Sequence, residues 1–155
     1  MSIIRLDNRG QISAEYLLLF VVILTVFLFM INNFIGPTID ASNSVSKASD
    51  AKIAIESIAD AVNIVYANGP GAKRTIDINI PQDLDLNFNT DSQIVETTIN
   101  NLNYNGNPAN SKTLNAKINI AANIDISPST LPLSKGWHTV QVYWNTTTNN
   151  ITITA

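Results

Sequence analysis

Residues 16–31, YLLLFVVILTVFLFMI, form the longest apolar run of the chain, and Tyr16 and Thr25 are its only polar members. Taken from Ile12 to Ile35, the run holds 24 residues. That is about 36 Å of helix, against a hydrocarbon core of about 30 Å. A helix buried in a soluble domain keeps a polar stripe, and this run has none. The pattern predicts a transmembrane helix. Asn32-Asn33 followed by Gly36-Pro37 predicts a kink or short interruption. Beyond it, Val45, Ala48, Ala51, Ile55, Ile58, Val62 and Val65 recur at spacings of three and four, which predicts an amphipathic helix over 36–69. Asp50, Lys52, Glu56 and Asp60 surround that stripe, and its alanines leave room for neighbouring helices to approach. The helix stops at Asn68-Gly69-Pro70-Gly71.

After Gly71 the period changes to two. Ile76, Ile78 and Ile80 alternate with Asp77 and Asn79, and Leu84, Leu86 and Phe88 alternate beyond a turn at Pro81-Gln82-Asp83. A third strand is expected over 93–104, followed by a turn at Asn105-Gly106-Asn107-Pro108. A fourth begins at Leu114 and runs on towards Ile126. Pro128 and Pro132 then mark a loop. His138, Val140, Val142 and Trp144 alternate with Trp137, Thr139, Gln141 and Tyr143, and Ile151–Thr154 pairs back across Asn145–Asn150 as a hairpin. The expected fold is α+β: one long N-terminal helix, then an antiparallel domain of about six strands over 70–155, as a sandwich or small barrel.

Composition narrows the chemistry. With no cysteine, the chain has no disulfide, thiol nucleophile or Cys-based metal site. His138 is the only histidine, and no convergent acid, base or nucleophile set appears, so no enzyme activity and no cofactor are expected. Asp83, Asp85, Asp91 and Glu96 read as solvated charges, because Asp83-Leu84-Asp85 lacks the glycine and glutamate spacing of a calcium loop. Trp137, Tyr143 and Trp144 are strand aromatics that either pack or form an adhesive patch. The formal charge is −3; subtracting the +1 of Arg5, Arg9 and Asp7 leaves −4 beyond the first ten residues. This weak acidity argues against a nucleic-acid partner, which needs a basic face.

The flank of the apolar run carries the most specific signal. Arg5, Arg9 and the amino terminus hold the leader on the cytoplasmic side and place the remainder outside. No small-residue cleavage triplet follows the run, as a cleaved secretory signal requires. Gly10 precedes it instead, and Glu15 stands one step before it, at the edge of a segment where a carboxylate is costly.

Gly10, Gln11, Ser13, Glu15 and Leu19 form a G|Q-x-S-x-E-x-x-x-L pattern after a short basic leader. This resembles archaeal type IV pilin-like proteins with a class III signal peptide, strictly over residues 5–35. An amphipathic helix ending in Gly-Pro-Gly, a strand ending at Pro81 and the stretch Gly136–Val140 are similar to such chains as well. The resemblance implies that a prepilin peptidase removes residues 1–10 between Gly10 and Gln11 and leaves the apolar helix in place. It implies 11–35 as membrane span and later filament core, 36–69 as amphipathic helix, and 70–155 as extracytoplasmic domain. It implies as partners the peptidase, the membrane before assembly, an assembly platform and other pilin subunits. A cut there frees an amine at Gln11 that Glu15 of a neighbouring subunit is placed to meet. Asn145-Thr146-Thr147 and Asn150-Ile151-Thr152 are N-x-[ST] sequons, so Asn145 and Asn150 are candidate glycosylation sites, although Asn and Thr are common enough here to produce such triplets by chance. Three readings stay open: a pilin or minor pilin serving adhesion, a membrane-anchored binding domain that never polymerises, and an archaellum subunit.

Overall fold

The computed structural model describes residues 8–104, 107–121 and 123–155. Arg5 and Asp7 of the leader, and Asn105 and Gly106 of the expected turn, lie outside them. The elements are α1 (Asn8–Met30), a π-helical turn (Ile31–Ile35), α2 (Gly36–Asn68), and the strands β1 (Lys73–Ile80), β2 (Leu84–Asn89), β3 (Ile94–Tyr104), β4 (Asn107–Lys117), β5 (Asp125–Ser127), β6 (Thr130–Leu133), β7 (Gly136–Asn145) and β8 (Asn150–Thr154). Contacts divide the chain into two units, 1–40 and 41–155.

In the first unit every residue from Ser13 to Ile35 is exposed. The irregularity expected near Gly36-Pro37 takes the form of a widened turn just ahead of it. The Gly36 N–H donates to the carbonyl of Ile31, five residues back. Pro37 has no N–H, and its ring crowds the carbonyl four residues earlier; a π turn is a common answer to such strain. Polar side chains here bond within the helix. Asn32 Nδ2 donates to Leu28 O at 3.0 Å, Asn33 Nδ2 to Phe29 O at 2.8 Å, Thr38 Oγ1 to Phe34 O at 2.6 Å and Thr25 Oγ1 to Val21 O at 2.8 Å. Self-bonded amides and hydroxyls cost less in an apolar medium than unpaired ones.

The second unit is built on two four-stranded sheets, ordered β1-β7-β8-β5 and β4-β3-β2-β6. Together with the later part of α2 they enclose one hydrophobic core. Alternation decides which side chains enter it: Leu84, Leu86 and Phe88 of β2 and Val140, Val142 and Trp144 of β7 are buried while their neighbours are not. Tyr66 of α2 stacks on Trp144, with ring centroids 5.3 Å apart and planes 16° apart, which ties the helix to the inner face of β7. Ala51, Ala54, Ala59 and Ala61 are buried in this core. Their small size lets α2 approach its own sheets rather than neighbouring helices. Val45, expected on the buried stripe, is 67% exposed.

The strand count is eight where about six were expected, for two physical reasons. The expected fourth strand ends as β4 at Lys117, and β5 resumes it at Asp125 in another sheet. The loop expected around Pro132 holds β6, with Pro132 opposite Asp85. β6 is an edge strand, where a missing N–H costs no ladder bond if it faces outward. One pair departs from antiparallel order, since β5 runs parallel to β8. The β7–β8 hairpin forms as expected, with Asn145 opposite Asn150.

The opposite edge of the second sheet, β4, is covered by α2. Lys52 Nζ donates to Asn115 O, Asn63 Nδ2 donates to Lys117 O at 3.4 Å, and Asn63 Oδ1 accepts from Asn119 N at 2.6 Å. An edge strand capped this way offers less template for unwanted strand pairing. The Lys52–Glu56 ion pair, 3.2 Å and one helical turn apart, is solvent-exposed and contributes little by comparison.

Replacing Ile58, which is fully buried, by alanine is expected to destabilise the second unit by about 2–5 kcal/mol. Ile53→Ala, on the exposed face of the same helix, is expected to change stability by no more than about 0.5 kcal/mol. Denaturant unfolding of the two full-length variants, followed by tryptophan fluorescence to which the buried Trp144 contributes, checks the difference.

Candidate functional site

The N-terminal segment concentrates the features that need a partner. Gly10 and Gln11 lie in the first turns of α1 rather than in an extended strand. Glycine in a helix is disfavoured by about 1 kcal/mol relative to alanine, so this turn is a weak point of the helix. Ser13 and Glu15 are exposed on it. Glu15, Leu18, Leu19, Val22 and Ile23 line one shallow groove along α1. Their spacing of three and four puts them on one face, so the carboxylate heads an apolar ladder. The structure thus places Glu15 and Leu19, two of the motif residues, side by side.

Nothing in the first unit covers the ladder. Tyr16 is 71% exposed, and the 18-residue window that defines the span is 0% buried. Its mean hydropathy is 2.6, and the helix is long and apolar enough to cross a membrane. A core helix would be shielded by its own chain; this one requires lipid or other protein around it.

Residues 8–34 match the family model of the class III signal peptide. The match takes in Gly10, Gln11, Ser13, Glu15 and Leu19 and stops one residue before the π turn ends. A class III signal peptide indicates a type IV pilin-like or archaellin-like precursor. No curated protein and no solved structure matches the chain.

The remaining candidates lie in the second unit. Asn145 and Asn150 face each other at the base of the β7–β8 hairpin. Asn145 Oδ1 accepts from Thr147 N at 2.9 Å, and Asn150 Oδ1 accepts from Thr148 Oγ1 at 2.5 Å. Both amide oxygens are therefore engaged in the turn. His138 Nε2 donates to Ser134 O at 2.7 Å, which ties β7 to the turn before it. Asp83 Oδ1 accepts from Lys135 N at 2.8 Å in the same turn. Asp83, Asp85 and His138 do share a polar groove, but these bonds give Asp83 and His138 structural partners. The three aromatics do not form one patch: Trp144 is buried against Tyr66, whereas Trp137 points the other way and is 75% exposed. Sequence reasoning missed Ile53 as an exposed position beside Trp137. Its place opposite the buried Ile55 and Ile58 on the helical wheel is the signal that marks it.

Two lysines at the centre of the span, Val22→Lys with Val26→Lys, are expected to cost about 5–7 kcal/mol of membrane insertion. The variant should pass from the carbonate-resistant membrane fraction to the soluble one, while Thr25→Val stays with the membrane.

Proposed function

We propose that this chain is a structural subunit, a pilin or minor pilin, of an archaeal type IV pilus-like surface filament. The observation that carries the reading is an apolar helix, uncovered along its whole length, that begins at a class III signal motif and has Glu15 at its head. In this reading a prepilin peptidase cuts between Gly10 and Gln11 at the cytoplasmic face. Residues 11–35 hold the subunit in the membrane and later form the filament core. Residues 36–69 continue as amphipathic helix, and 70–155 is the extracytoplasmic domain that serves adhesion or surface attachment. An assembly platform supplies the work that extracts the helix from lipid.

The helicity of Gly10 and Gln11 adds a step. A protease binds its scissile backbone extended, so the first turn of α1 unwinds before the cut, and Gly10 lowers that cost. Cleavage converts Gln11 into a cationic terminus. Two unit charges 4 Å apart attract by about 4 kcal/mol at an effective dielectric of 20. Removing them from water costs several kcal/mol each. The desolvation cost matches or exceeds the attraction, so the pairing of Glu15 with a neighbour's terminus acts on register and recruitment more than on filament strength.

Asn145 and Asn150 form one glycosylation site rather than two. They are direct cross-strand partners, so a glycan on one crowds the other. The expected mass is that of a single glycan on the peptide bearing both. Thr147→Ala combined with Thr152→Ala should remove it, and two glycans per chain would refute the crowding argument.

Mass spectrometry of mature protein from the cell surface should find Gln11 as the first residue, and Gly10→Ala should leave most of the chain uncut. Glu15→Gln should be cut normally but reduce surface filaments about tenfold or more, a difference of about 1.4 kcal/mol per subunit addition. Normal filaments from Glu15→Gln, seen by electron microscopy, would remove the assembly role. A processed chain that fills the membrane with no filament mass would favour the non-polymerising anchor.

A further inference from the structure

The second unit carries two clefts of opposite charge, and each has a hydrophobic side chain left open to solvent. One is lined by Ile53 of α2 and Trp137 of β7 together with Asp50 and Asp77, and no basic side chain lines it. Ile53 and Trp137 are 58% and 75% exposed. The other, of about 470 Å³, is lined by Val45, Ala48 and Leu102, with Lys112 as its one charged residue. At about 100° per residue, Val45 and Asp50 project about 140° apart around α2, so the clefts open on opposite flanks of one helix.

We propose that a second copy of this chain docks here head to tail, with Trp137 of one copy entering the Val45–Leu102 cleft of the next and Asp77 facing Lys112. A two-fold contact needs both clefts within one self-complementary patch facing the partner, which clefts on opposite flanks of α2 do not form. The head-to-tail contact instead pairs unlike charges and removes the exposed indole from water. Such a contact joins different surfaces, so it repeats without closing unless the rotation returns to its start, as a filament requires. The cleft volume exceeds that of an indole, and a buried tryptophan ringed by polar groups is the usual anchor of a protein interface. The charges at the edge set orientation and make the contact weaken as salt rises. The proposal rests on the filament reading for its setting but not for its geometry.

The chain has no cysteine, so introduced thiols report without background. The test is Asp77→Cys with Lys112→Cys in the full chain on whole cells, treated with a short bismaleimide and run on a denaturing gel. The expected result is a ladder of dimers, trimers and higher species from the double variant, and monomer alone from either single variant. Trp137→Ala in the double-cysteine background should lower the cross-linked yield about fivefold or more, and Trp137→Phe should retain most of it. Dimers from a single-cysteine variant would overturn the head-to-tail geometry. An unchanged yield with Trp137→Ala would overturn the anchor. Filaments without a ladder would sink the contact and leave the filament reading standing; a ladder without filaments would do the reverse.

Discussion

From Tyr16 to Ile35 the chain presents large apolar side chains on every side of a helix and covers none of them. Each side chain left in water forgoes roughly 1.5–3 kcal/mol of burial, so the exposed segment cannot persist in an aqueous phase. It has to be surrounded by lipid or by other protein, and the two are similar in polarity. The balance between the two surroundings is therefore set by packing and by the few polar groups present. The self-bonded Asn32, Asn33, Thr25 and Thr38 fit that demand, because their hydrogen bonds travel with the helix whatever surrounds it. Glu15 is the exception: its carboxylate has no such internal solution among the described contacts of the ladder it heads, which makes it the group most sensitive to the change of surroundings.

The second unit follows the opposite rule. Its apolar residues close over a single core, with α2 lending Ile55, Ile58, Val62 and Val65 to one side and covering the β4 edge through Lys52 and Asn63. Ala51, Ala54, Ala59 and Ala61 of α2 serve this internal packing, so they are not free to mediate helix association. Ile53 and Val45 of α2 stay open to solvent, one at each cleft. A domain otherwise so well covered leaves Trp137 exposed at a place where an acidic cleft begins, and this contrast gives the surface its meaning.

The class III motif, the length of the span, the amphipathic stripe and most strand cores were legible in the sequence. Each rests on local periodicity or spacing, and local rules survive whatever the chain later packs against. Gly10, Gln11, Ser13, Glu15 and Leu19 needed no fold to be singled out. Ile76–Ile80, Leu84–Phe88 and Val140–Trp144 needed only a period of two. The alternation even separated Trp144 from Trp137, although it did not say which of the two faces was the inner one.

Tertiary structure decided what depends on distant partners. β5 and β6 are too short to announce themselves, and they exist because β8 and β2 offer backbone groups to pair with. Val45 has the spacing of a core residue but lies at an open cleft beside β3 and β4, although its neighbour Ser44 is buried, while Ile53, equally apolar, is exposed beside Trp137. The sequon asparagines stand directly opposite each other only because of the β7–β8 register. Hydrophobic pattern determines which elements form and which face each prefers to hide. Whether that face finds cover is a property of the assembled chain, and for α1 and for Trp137 this chain alone supplies none.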